Sequence, residues 1–136
     1  MVDRIEGTFA TEGLGQWAVE IPGVAPFIGY VGLSPADFEA SFTPAVEVGW
    51  RLAADHWGRG YATEAARAAV ADGFQRLALA EIVSFTAVFN HRSRRVMEKL
   101  NMTRDPQEDF DHPRVPEGNR LRRHVLYRLR RSTVVP

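Results

Sequence analysis

The 136-residue chain contains no cysteine, which excludes disulfide bonds, thiolate nucleophiles and cysteine-ligated metals. No apolar run approaches the roughly 20 residues that a membrane-spanning helix needs. The acidic residues at its start do not fit a signal peptide. Its four histidines have no carboxylate partners at metal-ligand spacing, so we expect no metal. These absences predict a cytoplasmic protein that does not bind membranes.

Charge is balanced in total, with 17 basic and 17 acidic residues, but it is uneven along the chain. Residues 1–90 hold 5 Arg and 11 Asp or Glu, whereas residues 91–136 hold 12 Lys or Arg and 6 Asp or Glu. A basic half can contact nucleic acid, but no RNA- or DNA-binding motif accompanies it. We therefore expect no nucleic-acid partner. The basic half is interpreted as holding an anionic ligand or as neutralising the acidic half.

The length fits a single domain spanning residues 1–136. Apolar alternation and short apolar runs predict strands at Trp17–Ile21, Phe27–Leu33, Val46–Leu52, Ile82–Phe89 and Arg120–Arg130. Helical patterns follow the third strand and Asn90, and a helix is also expected over Val2–Glu12, where Ile5 and Phe9 are four residues apart. A strand–helix–strand crossover requires parallel pairing. The chain is thus predicted to be α/β, with a mixed, mostly antiparallel sheet and flanking helices.

A glycine pair, Gly58 and Gly60, separates the third predicted strand from the helix that follows. A turn of this kind leaves backbone N–H groups aimed outward at a helix N-terminus, where a phosphate binds well. Glycine is required where a ligand comes so close that a Cβ would collide. The longer motifs G-x-x-x-x-G-K-[ST] and G-x-G-x-x-G are absent, which disfavours an NTPase or dinucleotide site. An ordinary turn remains the alternative.

The sequence around this turn, H-W-G-R-G-Y-A-T-E-A-A from His56 to Ala66, resembles the pyrophosphate loop of the GNAT acetyltransferase superfamily. In form it is similar to the branch of ribosomal-protein N-terminal acetyltransferases. Gly60 and Ala62 match the last two positions of the loop pattern, while Trp57 stands where Gln or Arg is usual. A second signature of the superfamily lies at Asn90–Leu100. The resemblance covers roughly Trp17 to Arg131, and the usual N-terminal strand and helices are expected to be missing.

The resemblance implies that acetyl-CoA lies between two parallel strands that splay apart, Val46–Leu52 and Ile82–Phe89. The pantetheine arm would contact the end of the first strand, the pyrophosphate would contact the glycine turn, and Asn90 would contact the arm from the other side. The implied cofactor-binding residues are Trp50, Arg51, Leu52, Trp57, Gly58, Arg59, Gly60, Tyr61, Ala62, Thr63, Asn90 and Ser93.

Acetyl transfer to a primary amine, whether a small molecule or a peptide N-terminus, requires a group that accepts the amine proton. Glu47 is the candidate base, because it lies on the strand face opposite the apolar stripe; a solvated strand glutamate is the alternative. Ser93 is the candidate to meet the leaving sulfur, since Met97 stands where many members have Tyr, although it could instead cap the helix. His112, in a long loop, is an alternative base or a substrate contact. His124 is interpreted as a packing residue.

Two further expectations concern the missing N-terminal part. Without it, a CoA-binding but catalytically silent interaction or regulatory module is the second functional hypothesis. A sheet that began at Trp17–Ile21 would also have an open edge, with no proline or lysine to prevent pairing with another chain. We therefore predict a homodimer in which a neighbour covers this edge or the open side of the cleft. The alternative is that Val2–Glu12 folds back as a helix and covers it alone.

Overall fold

The structure is a computed structural model that describes residues 4–9, 15–21, 23 and 25–131, with the backbone alone for residues 4–9, 21 and 25–27. Within these residues the strands are Arg4–Phe9 (β1), Gly15–Ile21 (β2), Ala25–Pro35 (β3), Val46–Leu52 (β4), Glu81–Ala87 (β5), Thr103–Arg104 (β6), Phe110–Asp111 (β7) and Arg123–Arg130 (β8). The helices are Tyr61–Gln75 (α1) and His91–Lys99 (α2).

The strands form one mixed sheet in the order β1-β2-β3-β4-β5-β8-β6, and β7 also pairs with β8. The pair β4–β5 is parallel and the other pairs are antiparallel. This confirms the predicted α/β fold. The last strand begins at Arg123 rather than Arg120, and the predicted loop over residues 105–119 contains the short strand β7.

The N-terminal segment differs from the sequence-based prediction. Residues Arg4–Phe9 form a strand, and not a helix, which pairs with β2 from Arg4↔Glu20 to Phe9↔Gly15. A spacing of four residues fits both the helical and the strand period, so the pattern of Ile5 and Phe9 could not separate them. The rest of the predicted helix, including Val2 and Glu12, lies outside the described residues. Because β1 covers β2, the expected open edge and the expected absence of a preceding strand were wrong.

The sheet is covered on both faces around its centre. The helical face buries Val48, Ile82 and Val125 under α1 and α2, and small side chains such as Ala65, Ala66 and Ala69 let α1 lie close to the strands. The opposite face buries a second cluster consisting of Ala36, Phe42, Val83 and Leu126, against which Phe38, Phe85 and Phe110 pack. This confirms that the strand predicted at Ile82–Phe89 is covered on both sides, although it ends at Ala87.

The central parallel strands part soon after they meet. Strands β4 and β5 share one register pair, Glu47↔Val83, whereas β4 shares seven with β3. One step further, the Ser84 hydroxyl donates to the carbonyl oxygen of Val48 at 2.9 Å, and beyond this bond the strands separate. The splay expected of this strand pair is therefore present. Among the described residues, no helix has the length and apolar character needed to cross a membrane.

Candidate active site

A pocket of about 500 Å³ lies where β4 and β5 part. It is bounded by the end of β4, the glycine turn, the first turn of α1 and one side of α2. Its lining residues are Trp50, Arg51, Leu52, His56, Trp57, Gly58, Gly60, Tyr61, Ala62, Thr63, Asn90, Arg92, Ser93, Arg95, Val96 and Lys99. The structure thus brings together every cofactor-binding residue predicted from the sequence except Arg59, which is exposed outside this lining.

The glycine turn presents open space and unpaired backbone donors to the pocket. Gly58 and Gly60 have φ values of 76° and 81°, in the left-handed region that favours glycine, and a Cβ built on either meets nothing within 4 Å. The first intrahelical bond of α1 runs from Glu64 N to the carbonyl of Gly60 at 3.0 Å. The N–H groups before it therefore have no acceptor within the helix. This geometry suits an anion that approaches the backbone closely.

The charges around the pocket are of one sign. Arg51, Arg92, Arg95 and Lys99 line it, and no acidic residue does, as far as the structure describes the lining. The Nδ1 atom of His56 is buried there without a hydrogen-bond partner among the described residues. These features fit a ligand that is anionic and carries polar groups, as acetyl-CoA does.

Five lining residues were missed by the sequence analysis: His56, Arg92, Arg95, Val96 and Lys99. The spacing of the three cations by three and four residues puts them on one side of α2, which is a signal that the sequence contains. By itself this spacing does not indicate a ligand, because an exposed basic stripe is also typical of a solvated helix face.

Trp57 holds two parts of the pocket wall together. Its indole Nε1 donates to the carbonyl oxygen of Leu52 at 2.9 Å, which ties the turn to the end of β4. The guanidinium carbon of Arg92 lies 4.1 Å from the centre of the Trp57 ring. The indole N–H is therefore already used, and the positive charge beside the turn comes from Arg92 on α2.

Asn90 and Ser93 both line the pocket, but they differ in whether their side chains already have hydrogen-bond partners. The Asn90 Oδ1 atom accepts from Ser93 N at 3.2 Å, which confirms that Asn90 caps α2, and its Nδ2 atom donates to Thr86 Oγ1 at 3.0 Å. The Asn90 side chain is thus already hydrogen-bonded at both ends. The hydroxyl of Ser93 has no hydrogen bond to any described residue, so it can donate to a ligand in the pocket.

Glu47 lies on the opposite face of the sheet from this pocket. It is beside Val83 and Ser34, and it is partly buried. Burial and, to a smaller extent, the nearby carboxylate of Asp37 raise the pKa of Glu47 to about 7, although a hydrogen bond with Ser34 opposes both. A carboxylate with a pKa near neutrality can accept a proton and release it again at physiological pH. The structure therefore separates Glu47 from Ser93 by the thickness of the sheet.

His112 lies on the face of Glu47 and is not alone there. Its ring centre is 5.0 Å from that of His124, at the start of β8, and both rings are close to Phe85. Burial lowers the pKa of His112, and the charges of His124 and Arg114 lower it further. Burial also lowers the pKa of His124. Sequence reasoning had interpreted His124 as a packing residue.

The sheet is mixed, and its central parallel strands part beside a glycine turn and a cation-lined pocket. This is the architecture of an acyl-CoA-dependent transferase fold. The profile of the acetyltransferase (GNAT) domain matches residues 1–103, and this chain belongs to that family.

Individual relatives agree with this assignment. The chain is 37% identical over 95 residues to the FsC-acetyl coenzyme A-N(2)-transacetylase of Aspergillus fumigatus. The aligned region covers 67% of this chain and 40% of that protein. An acetyltransferase structure from Agrobacterium tumefaciens superposes with a TM-score of 0.65 at 29% identity, over 88% of this chain and 62% of that one. The fold alone is shared with Salmonella typhimurium yncA, whose structure holds its cofactor acetyl-CoA (TM-score 0.70, 18% identity, 92% and 69% covered). The chain spans about half or less of the length of the curated relatives it matches.

Proposed function

We propose that this protein binds acetyl-CoA in the pocket between β4 and β5 and transfers the acetyl group to a primary amine by direct attack. The observation that carries this proposal is the cation-lined pocket, where open space faces a glycine turn and a helix N-terminus. The acceptor is the primary amine of a small molecule or of a peptide N-terminus, which share the reacting group. The name of the Aspergillus relative and the acetyl-CoA held by yncA support the same reading.

Each part of the pocket has a role in this proposal. The N–H groups of Tyr61 and Ala62 and the turn before them would bind the pyrophosphate, with Arg92 supplying positive charge. The free backbone edge of β4 near Trp50 would pair with the amide groups of the pantetheine arm. Bound acetyl-CoA supplies an acetyl group activated as a thioester. Ser93 would donate a hydrogen bond towards the sulfur that leaves.

On the other face, Glu47 would accept the proton that the amine loses. Because its pKa is raised to about 7, a large fraction of Glu47 is ionised at neutral pH while its conjugate acid remains able to release the proton to solvent. The amine would approach from the face of Glu47, whereas acetyl-CoA would enter from the helical face. The gap between β4 and β5 would connect the two.

The binding part of the proposal is tested with Gly60→Val. A branched side chain at Gly60 would occupy the space in front of the turn, and we expect the affinity for CoA to fall by more than tenfold, which is about 1.4 kcal/mol. Gly118→Val is the matched control, because Gly118 has the same φ of 81° and the same open surroundings in an exposed loop. Calorimetry on folded protein that gave equal CoA affinities for the two variants would contradict the proposed pyrophosphate site.

The catalytic part is tested by thiol release from acetyl-CoA in the presence of amines of different classes: peptides, polyamines and amino sugars. Turnover with any of them supports transfer. If acetyl-CoA binds with the expected dependence on Gly60 but no amine is acetylated, the proposed transfer fails. The catalytically silent binding module then becomes the better description.

A further inference from the structure

Two histidines lie side by side on the face of the sheet that carries Glu47. His112 follows β7, His124 is the second residue of β8, and their ring centres are 5.0 Å apart. The ring of Phe38 is 4.5 Å from that of His112, and the ring of Phe110 is 5.6 Å from that of His124. The pair therefore lies at the border of the aromatic cluster, where apolar and polar surfaces meet.

The backbone fixes which nitrogen of each ring carries the hydrogen. The Nδ1 atom of His112 accepts the N–H of Arg114 at 3.1 Å, so the hydrogen of its neutral ring is on Nε2. The Nδ1 atom of His124 lies 3.1 Å from the carbonyl oxygen of Arg122, which can only accept, so this Nδ1 carries the hydrogen. The two Nε2 atoms are therefore of opposite character: that of His112 donates and that of His124 accepts. Neither has a hydrogen-bond partner among the described residues.

Both rings are kept neutral by their surroundings. Burial lowers the pKa of each ring, and the charge of Arg114 adds to this at His112. The charged groups that flank the pair are themselves in ion pairs, with partners Asp37–Arg114, Asp111–Arg122 and Asp111–Arg123. These ion pairs reduce the net charge that the two rings face.

The two rings lie on the same face further along β5, in the direction in which β4 and β5 part, since His124 pairs with Ala87, four residues beyond Val83. Phe85 is two residues beyond Val83, which is the partner of Glu47, and its ring centre is 6.0 Å from that of His112 and 6.4 Å from that of His124. A molecule whose amine reached Glu47 could therefore extend over Phe85 to the two Nε2 atoms.

We propose that His112 and His124 together bind an uncharged group of the acceptor that both accepts and donates hydrogen bonds, namely an amide or a hydroxyl close to the reacting amine. A carboxylate would meet the donor of His112 but would be opposed by the lone pair of His124. A second ammonium group, as in a polyamine, would meet the lone pair but be opposed by the donor. The inference rests on the proposed function, because it concerns the acceptor of the same reaction.

The test compares acceptors that share one aromatic amine skeleton. Phenylalaninamide and phenylalaninol carry the amide or the hydroxyl, 2-phenylethylamine lacks it, and phenylalanine has a carboxylate in its place. We expect kcat/KM, expressed per unprotonated amine because these amines differ in basicity, to be about tenfold or more higher for the first two than for the other two and for spermidine. Equal values for phenylalaninamide and 2-phenylethylamine, or higher values for spermidine, would overturn the proposal.

Variants link this preference to the histidines. His112→Phe and His124→Phe keep an aromatic ring but remove the donor or the lone pair. In either variant the preference for phenylalaninamide over 2-phenylethylamine should fall towards one, while KM for acetyl-CoA stays unchanged. His91→Phe is the control, since His91 is exposed at the start of α2 and does not line the pocket. A preference that survived in both variants would refute the assignment.

A spectroscopic measurement separates this inference from the proposed transfer. In protein labelled with 15N-histidine and saturated with CoA, the imidazole shifts should identify His112 as the Nε2–H tautomer and His124 as the Nδ1–H tautomer. Added phenylalaninamide should move both Nε2 signals. If these signals move but no amine is acetylated, the transfer fails and the inference holds. If amines are acetylated without a preference for phenylalaninamide, the transfer holds and the inference fails. Identical tautomers for the two histidines, or Nε2 signals that do not move, would also overturn the inference.

Discussion

At the scale of single residues, the proposed chemistry depends most directly on Glu47. Glu47→Gln keeps the shape of the side chain but cannot accept a proton, so kcat should fall by roughly 10²–10⁴-fold. The affinity for acetyl-CoA should change little, because the residue lies on the other face from the pocket. In the wild type, kcat should rise with pH and level off above about 7, because the carboxyl group is protonated and inactive below its pKa.

A pH series of kcat for wild type and variant decides this, with Glu39→Gln as the control, since Glu39 is an exposed carboxylate in a nearby loop. Turnover of Glu47→Gln at the wild-type rate would remove Glu47 as the base. His124 would then be tested in the same way before His112, because its Nε2 has the available lone pair.

Arg92 provides a second prediction at this scale. Removal of its charge by Arg92→Ala should weaken CoA binding about tenfold, because charge-assisted hydrogen bonds to phosphate are strong. The loss should be smaller in a Trp57→Leu background, since the ring no longer positions the guanidinium. The control is Arg120→Ala, whose guanidinium lies 5.3 Å over the ring of Phe89 and outside the pocket. Equal losses for Arg92→Ala and Arg120→Ala in calorimetry would contradict this role.

Sequence reasoning found several residues whose position follows from their own element, but it could not find contacts that depend on a distant element. Gly58 and Gly60 could be predicted because a turn and a helix start are local. The pairing of His124 with His112 could not, because it depends on the antiparallel pairing of β7 with β8. The availability of the His124 lone pair depends further on the carbonyl of Arg122, which no pattern of residue types reveals.

At the scale of elements, the bond from Ser84 to Val48 lies at the junction of the two parallel strands. The Ser84 side chain is 2% exposed, so Ser84→Ala would leave the Val48 carbonyl buried without this partner. We expect unfolding in urea to show a loss of about 1–3 kcal/mol. Thr103→Val removes a comparable but exposed and longer bond, of 3.5 Å to the Arg128 carbonyl, and should cost less than about 0.5 kcal/mol. Equal costs for the two variants would show that Ser84 does not stabilise the junction.

Elements were predictable where their apolar period was long and unambiguous. The predicted bounds of Val46–Leu52 agree with those of β4, because four alternating apolar residues leave no other period. The short strands β6 and β7 were not predicted, because two residues carry no period and are held in place by pairing with β8. β1 was misassigned for the related reason that its few apolar residues fit two periods.

At the scale of the whole molecule, the homodimer stays a prediction. One of its two grounds, the open edge of β2, is gone because β1 pairs with that edge. A dimer would have to use another surface. Size-exclusion chromatography with light scattering at micromolar concentration tests this, and we expect a species of about twice the chain mass of 15.3 kDa. A 15.3 kDa species that binds CoA would contradict the dimer.

The parting of β4 from β5 also has a consequence for how the molecule holds together. The sheet consists of a half built from β1–β4 and a half built from β5–β8, and at their border it has one strand register pair and the bond from Ser84. The helices add a link from Arg67 to the carbonyl oxygen of Lys99 at 3.0 Å. A ligand between the halves would replace the backbone pairing that the border lacks. The protein with bound ligand would then unfold as one cooperative unit, and it would be more stable against unfolding than the protein without ligand.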